Sequence, residues 1–295
     1  MRHLVTVAEE LHFGRAAQKL NMAQPPLSQS IKRLEDELGV KLLERSRSGV
    51  SVTPAGRVFV AEARRTLMQA DLTRAVTLRA AADDAASINI GFIGPAMFRL
   101  LPPIIAAYHR VPDHVELKLY DESSPNQMIG LMEGRYDVCF IHPTIDLIEG
   151  GDSVVVERCR FVAAIPEQWD LAQQESVTMA ELGQLPLIMA PLSLSPNRVS
   201  SMLNAFRDVG VSPRIVQESL QTATTLSLVA ANIGAALASE TAILTGARGV
   251  AFRPISDLPS NLRWSIAMVW RPQHIQEGGK AFIEHVRAFS DAITQ

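Results

Sequence analysis

The sequence has few cysteines, and they follow no pattern that would build a site. It contains two, Cys139 and Cys159, without a CxxC pair or a Cys/His cluster around them. Neither a disulfide-stabilised fold nor a zinc site is therefore indicated. Long apolar runs are also missing, because no stretch reaches the roughly 18 residues of a membrane span. Arg2, Glu9, Glu10 and Arg15 lie within what would have to be an apolar signal segment, so we expect a cytoplasmic protein that does not enter membranes.

Motifs of common catalytic chemistry are absent as well. The sequence has no GxSxG nucleophile elbow, no GxGxxG dinucleotide loop and no HExxH metal motif. Gly278, Gly279 and Lys280 match part of a phosphate-binding loop, but they lack its preceding glycine and its following hydroxyl residue. We therefore expect a protein that is not an enzyme and that has no catalytic residues, no metal site and no cofactor.

What is present is an ordinary globular composition with an uneven distribution of charge. Of the 295 residues, 47% are hydrophobic and 20% are charged. At about 100 to 200 residues per domain, this length suits two or three domains. Residues 1–82 contain 13 Lys+Arg against 8 Asp+Glu, whereas the remainder contains 15 against 23. A basic first quarter indicates contact with a polyanion, although many small domains carry such a charge without binding nucleic acid.

Two short amphipathic helices joined by a tight turn are predicted near the N-terminus. Apolar residues recur at helical spacing in two sets, before and after residues 21–23, and Gly39 ends the second set. Pro25 and Pro26 suit the first turn of the second helix, because proline has no backbone N–H to donate. Two helices joined by about four residues form a helix-turn-helix. The apolar sets are Phe13, Ala16, Ala17 and Leu20, then Leu27, Ile31, Leu34 and Leu38.

The polar side of the second helix is the candidate recognition surface. If the second apolar set faces inward, Ser28, Gln29 and Lys32 project from the other side, and Gln24 lies just ahead of them. Such side chains in the N-terminal half of a helix read base edges in the major groove of DNA. The spacing alone fits a solvated face of a small helical domain equally well.

A basic hairpin is predicted after the second helix. Residues 41–45 and 50–53 form two short strands around a turn that contains Gly49. Arg45 and Arg47 would lie at its tip, where the arginines of a wing contact phosphates and add affinity without sequence information. A solvated hairpin tip is the alternative interpretation.

These residues resemble the winged helix-turn-helix of LysR-type transcriptional regulators. The resemblance covers about the first 60 residues and rests on residues 9–20, residues 23–39, Leu43-Glu44-Arg45 and Thr53-Pro54-Ala55-Gly56. Gly14 departs from the family pattern, in which a hydroxyl residue often caps the first of the two helices. The resemblance implies that residues 1–58 form a domain that binds double-stranded promoter DNA. The DNA-binding residues that we expect are Gln24, Pro25, Ser28, Gln29, Lys32, Arg45 and Arg47.

A long helix is predicted from Arg57 to about Ala82, because this stretch contains neither glycine nor proline. It carries a stripe of alternating larger and smaller apolar residues, which allows a partner helix to approach closely. The alternative is that the stripe packs on its own domain. In the resembled family such a helix pairs with its twin, so residues 59–86 are expected to be a linker and dimerisation helix with a hinge. The stripe consists of Val60, Ala63, Leu67 and Ala70.

After residue 87 apolar strands alternate with helices, which predicts parallel strands joined by crossover helices. Two such series would form two lobes with a cleft between them. The resemblance implies that residues 87–295 are a periplasmic-binding-protein-like effector domain. Lobe one would comprise about 87–160 and 266–295, and lobe two about 161–265.

Candidate ligand contacts lie where strands end and helices begin, because the free N–H groups of a helix N-terminus favour anions. Hydroxyl residues recur at these junctions and suit hydrogen bonds to a carboxylate, although each is also an ordinary helix cap. His142 follows the third strand and could face the cleft, although a lone histidine is more often structural. The expected effector contacts are Pro95, Ser123, Ser124, Ser195, Thr222 and His142.

The resemblance assigns some of these residues to the effector cleft. Positions that match Pro95, Ser124 and Ser195 line the cleft in family members that sense aromatic or muconate-type acids. Pro95 departs from the pattern, because a hydroxyl residue is common there and proline has no donor. This departure shifts the expected ligand toward Ser123, Ser124 and Thr222.

Together these features predict an N-terminal all-α winged helix-turn-helix with a long linker helix, followed by an α/β two-lobed periplasmic-binding-protein-like effector domain. The expected function is that of a LysR-type regulator, a dimer or dimer of dimers that binds promoter DNA. Its effector would be a small organic acid, such as an aromatic-derived one, bound between the lobes. Its partners would be DNA, the effector, further copies of the chain and RNA polymerase. The alternative is a two-lobed small-molecule binding protein without a role at DNA, which the effector region alone would permit.

Overall fold

The computed structural model describes residues 1–46, 49–81, 87–112, 114–143 and 150–294. The chain forms two compact units, of which the N-terminal one comprises Met1–Ala81 together with Met132–Gly134 and the C-terminal one comprises the rest of the chain. Arg47 and the expected hinge at residues 82–86 lie outside the described residues. None of the described helices is long and apolar enough to cross a membrane.

The N-terminal unit combines helices with a two-stranded hairpin. In chain order its elements are α1 (Arg2–Glu10), α2 (Phe13–Lys19), α3 (Gln24–Leu38), β1 (Leu43–Ser46), β2 (Gly49–Val52) and α4 (Pro54–Ala81). The apolar faces of the helices and the base of the hairpin share one core, which contains Leu4, Phe13, Ala16, Leu27, Ile31, Leu42 and Val60. This arrangement confirms the predicted helix-turn-helix followed by a hairpin.

The turn between α2 and α3 is closed by local backbone geometry. The N–H of Met22 donates to the carbonyl of Ala17 at 3.0 Å, and Asn21 has a φ of 52°. Asparagine tolerates this left-handed conformation better than most residues with a side chain. Pro25 lies in the first turn of α3, as the sequence predicts.

Two details of the helix-turn-helix differ from the prediction. Leu38 is 46% exposed, because it lies in the last turn of α3, where the helix no longer packs on the core. The N-cap of α2 is His12, whose Nδ1 accepts hydrogen bonds from the N–H groups of Gly14 at 3.0 Å and Arg15 at 3.3 Å. An imidazole therefore replaces the hydroxyl cap that was expected at position 14. A Cβ at Gly14 would lie 2.9 Å from Cε1 of His12, so glycine leaves room for the ring.

The predicted long helix is present as α4, and its first half packs within the N-terminal unit. Val60 and Ala63 are buried in the shared core, and Leu67 packs against it. Ala70 is exposed. The start of the predicted stripe thus packs on its own domain, as the alternative interpretation held, and Ala70 lies outside that packing.

The C-terminal unit alternates strands and helices. In chain order its elements are β3 (Ser87–Phe92), α5 (Leu101–Tyr108), β4 (Glu116–Asp121), α6 (Ser124–Met132), β5 (Val138–Ile141), β6 (Asp152–Cys159), β7 (Phe161–Pro166), α7 (Met179–Gly183), β8 (Pro186–Met189), α8 (Pro196–Asp208), β9 (Arg214–Glu218), α9 (Thr222–Ala230), β10 (Ala236–Ser239), β11 (Val250–Pro254), β12 (Trp264–Trp270) and α10 (Glu277–Thr294). Short 3-10 helices occupy Gly94–Met97, Asp170–Gln173 and Glu240–Thr245.

The first sheet of this unit has the order β4-β3-β5-β12-β6. β3 is parallel to β4 and β5, as predicted, with Gly91 opposite Cys139. β12 is antiparallel to both β5 and β6, so the prediction of a purely parallel arrangement is wrong here. No pattern in the sequence indicated β6, which pairs with β12 at the edge of the sheet. The core of this sheet contains Ile90, Phe140 and Phe282.

A second group of strands packs around a separate core. β7 lies between β10 and β11 and is antiparallel to both, whereas β8 and β9 pair in parallel. A bridge between Leu187 and Ala235 links β8 to the segment that leads into β10. The core contains Phe206 and Trp264. Because Trp264 is also the first residue of β12, the two groups of strands meet at this side chain.

Candidate functional site

The candidate DNA-binding face is the exposed side of α3. Leu27 and Ile31 are buried on one side of this helix. A shallow groove runs along the helix and continues to Lys41 and Leu43 at the base of the hairpin. The predicted residues on this side are Gln24, Pro25, Gln29 and Lys32, which are exposed, and Ser28, which is half-buried. All of them except Gln24 line the groove, so the structure brings these predicted residues together.

Glu35 connects this face to the hairpin. Its carboxylate is buried and accepts hydrogen bonds from the backbone N–H groups of Leu42 and Leu43, and Lys41 pairs with it from the surface. Burial by itself would raise the pKa of Glu35, but the hydrogen bonds from Leu43 and Leu42 and the ammonium of Lys41 hold that pKa below its ordinary value. The carboxylate therefore stays ionised, and it fixes the hairpin relative to α3.

The hairpin carries the remaining predicted DNA contacts. Arg45 lies in β1 with its backbone opposite Val50, one position before the last pair of the ladder, which is Ser46 with Gly49. Arg45 therefore lies within the strand and is not the last residue of the ladder. Arg47 lies outside the described residues.

In the C-terminal unit, Ser124 and His142 lie together at the ends of neighbouring strands. Ser124 is buried at the start of α6, and its Oγ accepts a hydrogen bond from the backbone N–H of His142 at 3.2 Å. The imidazole Nδ1 of His142 donates to the carbonyl of Ser265 at 3.2 Å. Since Nδ1 carries the proton in this arrangement, Nε2 is left as an acceptor.

That acceptor is occupied by Arg198, which the sequence analysis did not single out. Nη1 of Arg198 donates to Nε2 of His142 at 2.7 Å, and Nη2 lies 3.4 Å from Oγ of Ser195. Trp264 packs against both partners, with its ring centroid 4.5 Å from that of His142 and 5.4 Å from Cζ of Arg198. One guanidinium thus joins two predicted residues, His142 and Ser195, and Ser124 is connected to them through the backbone N–H of His142.

Burial decides the charge of these groups. It lowers the pKa of His142 to about 3, with the neighbouring charge of Arg198 acting in the same direction. Burial also lowers the pKa of Arg198, to about 10. At neutral pH the imidazole is therefore neutral and the guanidinium is charged.

A cavity of about 50 Å³ adjoins this cluster. Arg198 and Trp264 line it, and so does Thr222, the first residue of α9. Most of its wall is apolar, from residues such as Met189, Met202 and Leu226. Thr222 is accordingly the predicted effector contact that borders the cavity directly, and Ser195 and His142 reach it through Arg198.

The other two predicted contacts lie apart from the cavity. Pro95 is buried in the 3-10 helix that follows β3, and it is not among the described residues that line the cavity. Ser123 accepts a 3.4 Å hydrogen bond from the N–H of Asn126, so its hydroxyl serves the first turn of α6. The hydroxyl of Ser123 thus has the capping role that was the alternative interpretation, and a contact of either residue with a ligand stays a prediction.

One signal in the sequence could have identified Arg198. It is the third residue of α8, near the helix N-terminus, where the helix dipole disfavours a positive charge. An arginine in the first turn of a helix, where the dipole disfavours it, indicates that something negative is to be held there. The contact between Arg198 and His142 could not be inferred from the sequence, because the two residues lie far apart in the chain.

The cysteines and metal-binding residue types form no further site. Cys139 and Cys159 are both buried thiols, and burial raises the pKa of each. Within the described ranges, no three His, Cys, Asp or Glu side chains are placed so that they could hold a metal ion.

Comparisons with known proteins agree with this geometry. Residues 1–57 match the family described as "Bacterial regulatory helix-turn-helix protein, lysR family", and residues 81–291 match "LysR substrate binding domain". The chain is 35% identical over 273 residues to the HTH-type transcriptional regulator AlsR of Bacillus subtilis. The matched region covers 90% of this chain and 89% of AlsR.

Solved structures show the same fold over nearly the whole length. A variant of full-length BenM, a regulator from Acinetobacter baylyi, matches with a TM-score of 0.60 and 30% identity over 99% of this chain and 95% of that one. Full-length CbnR complexed with its target DNA matches in fold, with a TM-score of 0.59 and 24% identity over 98% of each chain. The chain belongs to the LysR family of transcriptional regulators, with an N-terminal helix-turn-helix and a C-terminal effector-binding domain.

Proposed function

We propose that this regulator reads promoter DNA with the exposed side of α3 and responds to a small organic acid bound in its C-terminal unit. The observation that carries the DNA-binding role is the division of α3 into two sides. Leu27 and Ile31 hold the helix on the core, whereas Gln29 and Lys32 are exposed and have no part in it. A helix held in this way can enter the major groove without disturbing its own packing.

Within this proposal the predicted residues have different roles. Ser28, Gln29 and Lys32 offer donors to base edges, because guanine and adenine present acceptors in the major groove. Gln24 and Pro25 lie in the first turn of α3, close to where the helix would pass the backbone. Arg45 and Arg47 would contact phosphates, which strengthens binding to every sequence alike. Residues 1–58 then form the DNA-binding domain.

Two copies of the chain are proposed to bind together. Residues 59–86 would supply the linker and the pairing surface, and the exposed Ala70 on α4 supports this by leaving a small residue open to a partner helix. A dimer, or a dimer of dimers, would place two recognition helices in successive major grooves of an inverted repeat.

Residues 87–295 are proposed to bind the effector between two lobes in the manner of periplasmic binding proteins. The support is the pair of separate cores in the C-terminal unit, together with the cluster of Ser124, His142 and Arg198 where the two groups of strands meet. Pro95 and Ser123, at the ends of β3 and β4, are proposed to approach the ligand from the first sheet. Ligand binding would change the arrangement of the bound copies, and thereby the bend of the DNA and the contact with RNA polymerase. In this role the protein catalyses no reaction and acts in the cytoplasm, where its promoter lies.

The test is a gel-shift titration of the full chain on its own upstream promoter region. We expect a specific complex whose affinity falls steeply with salt, because phosphate contacts release counterions. Lys32→Ala should weaken the complex, whereas Arg110→Ala, which removes an exposed charge in the C-terminal unit, should leave it unchanged. If no specific complex forms, or if both variants behave alike, the proposed use of α3 is wrong.

A further inference from the structure

We propose that Arg198 is the carboxylate-binding residue of this regulator and that the effector is a short-chain aliphatic monocarboxylate held in the cavity beside it. This inference rests on the proposed function, since it names the class of ligand that the C-terminal unit takes. It is carried by the hydrogen-bonding state, the charge and the size of the cavity.

The cavity is lined by two side chains whose donors lack acceptors. Nε of Arg198 and Nε1 of Trp264 are buried and have no hydrogen-bond partner in the described part of the chain. No buried acceptor without a donor belongs to the described residues that line the same cavity. Since buried donors without acceptors are costly, the cavity calls for a ligand that supplies oxygen acceptors and few donors. A carboxylate meets this requirement, whereas an amine or a polyol does not.

The charge of the cavity selects a single negative charge. No carboxylate of the described residues pairs with Arg198, whose hydrogen bonds go to His142 and Ser195. His142 contributes no positive charge, because its Nε2 is already an acceptor for Arg198. The guanidinium is therefore the one cation among the described lining residues. One carboxylate would balance it, whereas the second charge of a dicarboxylate would lie against apolar side chains such as Met202 and Leu226.

The position of Arg198 on α8 supports the same conclusion. It occupies the first turn of the helix, so its charge and the positive end of the helix dipole act on the same place. The cavity also borders Thr222 in the first turn of α9. The half-buried guanidinium of Arg198 and the N-terminus of α9 thus border one small space, and a carboxylate there would be stabilised by both.

The size of the cavity limits the rest of the ligand. At about 50 Å³ it is smaller than the engineered cavity of about 150 Å³ that accepts benzene. An aliphatic chain of a few carbon atoms fits inside it without rearrangement, whereas an aromatic ring would have to extend beyond this space or displace the walls.

The test uses the full chain in calorimetric titrations with acetate, propionate and butyrate, each compared with its neutral amide, and with succinate and benzoate. We expect at least one of the three short acids to bind, and to bind at least tenfold more tightly than its amide, succinate and benzoate. Arg198→Met, which keeps the length and removes the charge, should weaken that acid about 10- to 100-fold, as expected for the loss of charge-assisted hydrogen bonds. Arg207→Met, at an exposed position on the same helix, should leave binding unchanged.

The outcomes separate this inference from the proposed function. If none of the short acids binds, if acid and amide bind equally, or if Arg198→Met binds as tightly as the unaltered chain, the inference is overturned. A gel-shift titration of the same preparation without acid shows independently whether specific DNA binding holds. If Arg198→Met does not fold, as judged by its circular dichroism, the comparison of acid with amide on the unaltered chain still tests whether the cavity requires a carboxylate.

Discussion

Oε1 of Glu35 accepts a hydrogen bond from the backbone N–H of Leu42 at 2.8 Å, across seven positions of the chain. The same oxygen accepts from the N–H of Leu43 at 3.1 Å, and Nζ of Lys41 donates to the other oxygen at 3.1 Å. One side chain of the recognition helix thus holds the first residues of the hairpin. Replacing it should affect both folding and DNA binding.

For Glu35→Gln we expect a loss of about 1–3 kcal/mol in the free energy of unfolding, because an amide replaces a charged acceptor of buried N–H groups. Urea unfolding of the full chain measures this loss. The matched control is Glu37→Gln, which removes an exposed carboxylate from the same helix and should change stability by less than about 0.5 kcal/mol. Equal effects of the two substitutions would show that the contact with the hairpin contributes nothing.

Gly56 provides a second test of how the hairpin packs, because this residue of α4 lies against the backbone of Leu42 just before β1. A Cβ at this position would lie 2.0 Å from the carbonyl oxygen of Leu42, so the backbone would have to move. Alanine normally stabilises a helix relative to glycine, but Gly56→Ala should destabilise the N-terminal unit by about 1–3 kcal/mol through overpacking. Thermal unfolding checks this, with the exposed neighbour Ala55→Ser as the control. A stabilised Gly56→Ala variant would contradict the observed contact.

Gln29 and Arg45 should differ in what they contribute to DNA binding. Gln29→Ala should cost about 1–3 kcal/mol on the specific site and relax the preference at one base pair. Arg45→Ala should weaken specific and random DNA alike and reduce the salt dependence by about one phosphate contact. Fluorescence-anisotropy titrations on specific and random duplexes at several salt concentrations distinguish the two. Gln168→Ala, at an exposed position in the C-terminal unit, serves as the control. If the first two variants lost affinity in the same pattern, this division of roles would be refuted.

His142 should make the protein less stable as the pH falls. Its pKa in the folded chain is about 3, against about 6.5 in an unfolded chain. Between these values the unfolded state binds a proton that the folded state does not, so stability decreases as the pH is lowered from about 6.5 toward 3. The contribution of this residue is at most about 1.4 kcal/mol per pH unit.

Urea unfolding between pH 7 and pH 4 measures this effect. His142→Gln keeps a hydrogen-bonding side chain but does not titrate. In this variant the free energy of unfolding should fall less steeply as the pH is lowered, by at most about 1.4 kcal/mol per pH unit. His109→Gln, at an exposed position, is the control and should retain the slope of the unaltered chain. Parallel curves for His142→Gln and the unaltered chain would mean that the imidazole titrates normally in the folded state.

Local features of the fold were largely predictable. Helical spacing identified Leu27 and Ile31 as core residues, and Pro25 indicated where α3 begins. These features depend on neighbours in the chain. The parallel pairing of β3 with β4 and β5 was predictable for the same reason, since helices connect these strands.

Features that depend on distant residues were not predictable. The family resemblance implied that residues 266–295 return to the first lobe, but no local pattern encodes that β12 enters the first sheet antiparallel to β5. The contact between His142 and Arg198 joins residues 56 positions apart. Thr222, which follows a strand end, borders the cavity, whereas Ser124 is connected to it only through His142 and Arg198, and that cation became evident only in three dimensions.

The use of different side chains of α3 for packing on the core and for its outer surface has an evolutionary consequence. Because the side chains that anchor this helix are distinct from those on its outer side, the outer set can be exchanged with little penalty to folding. A duplicated gene could therefore acquire a new operator by a few substitutions while keeping its responsiveness to the same metabolite. The same property makes the protein a candidate scaffold for biosensors. The promoter sequence that it binds and the ligand that it detects could then be changed independently.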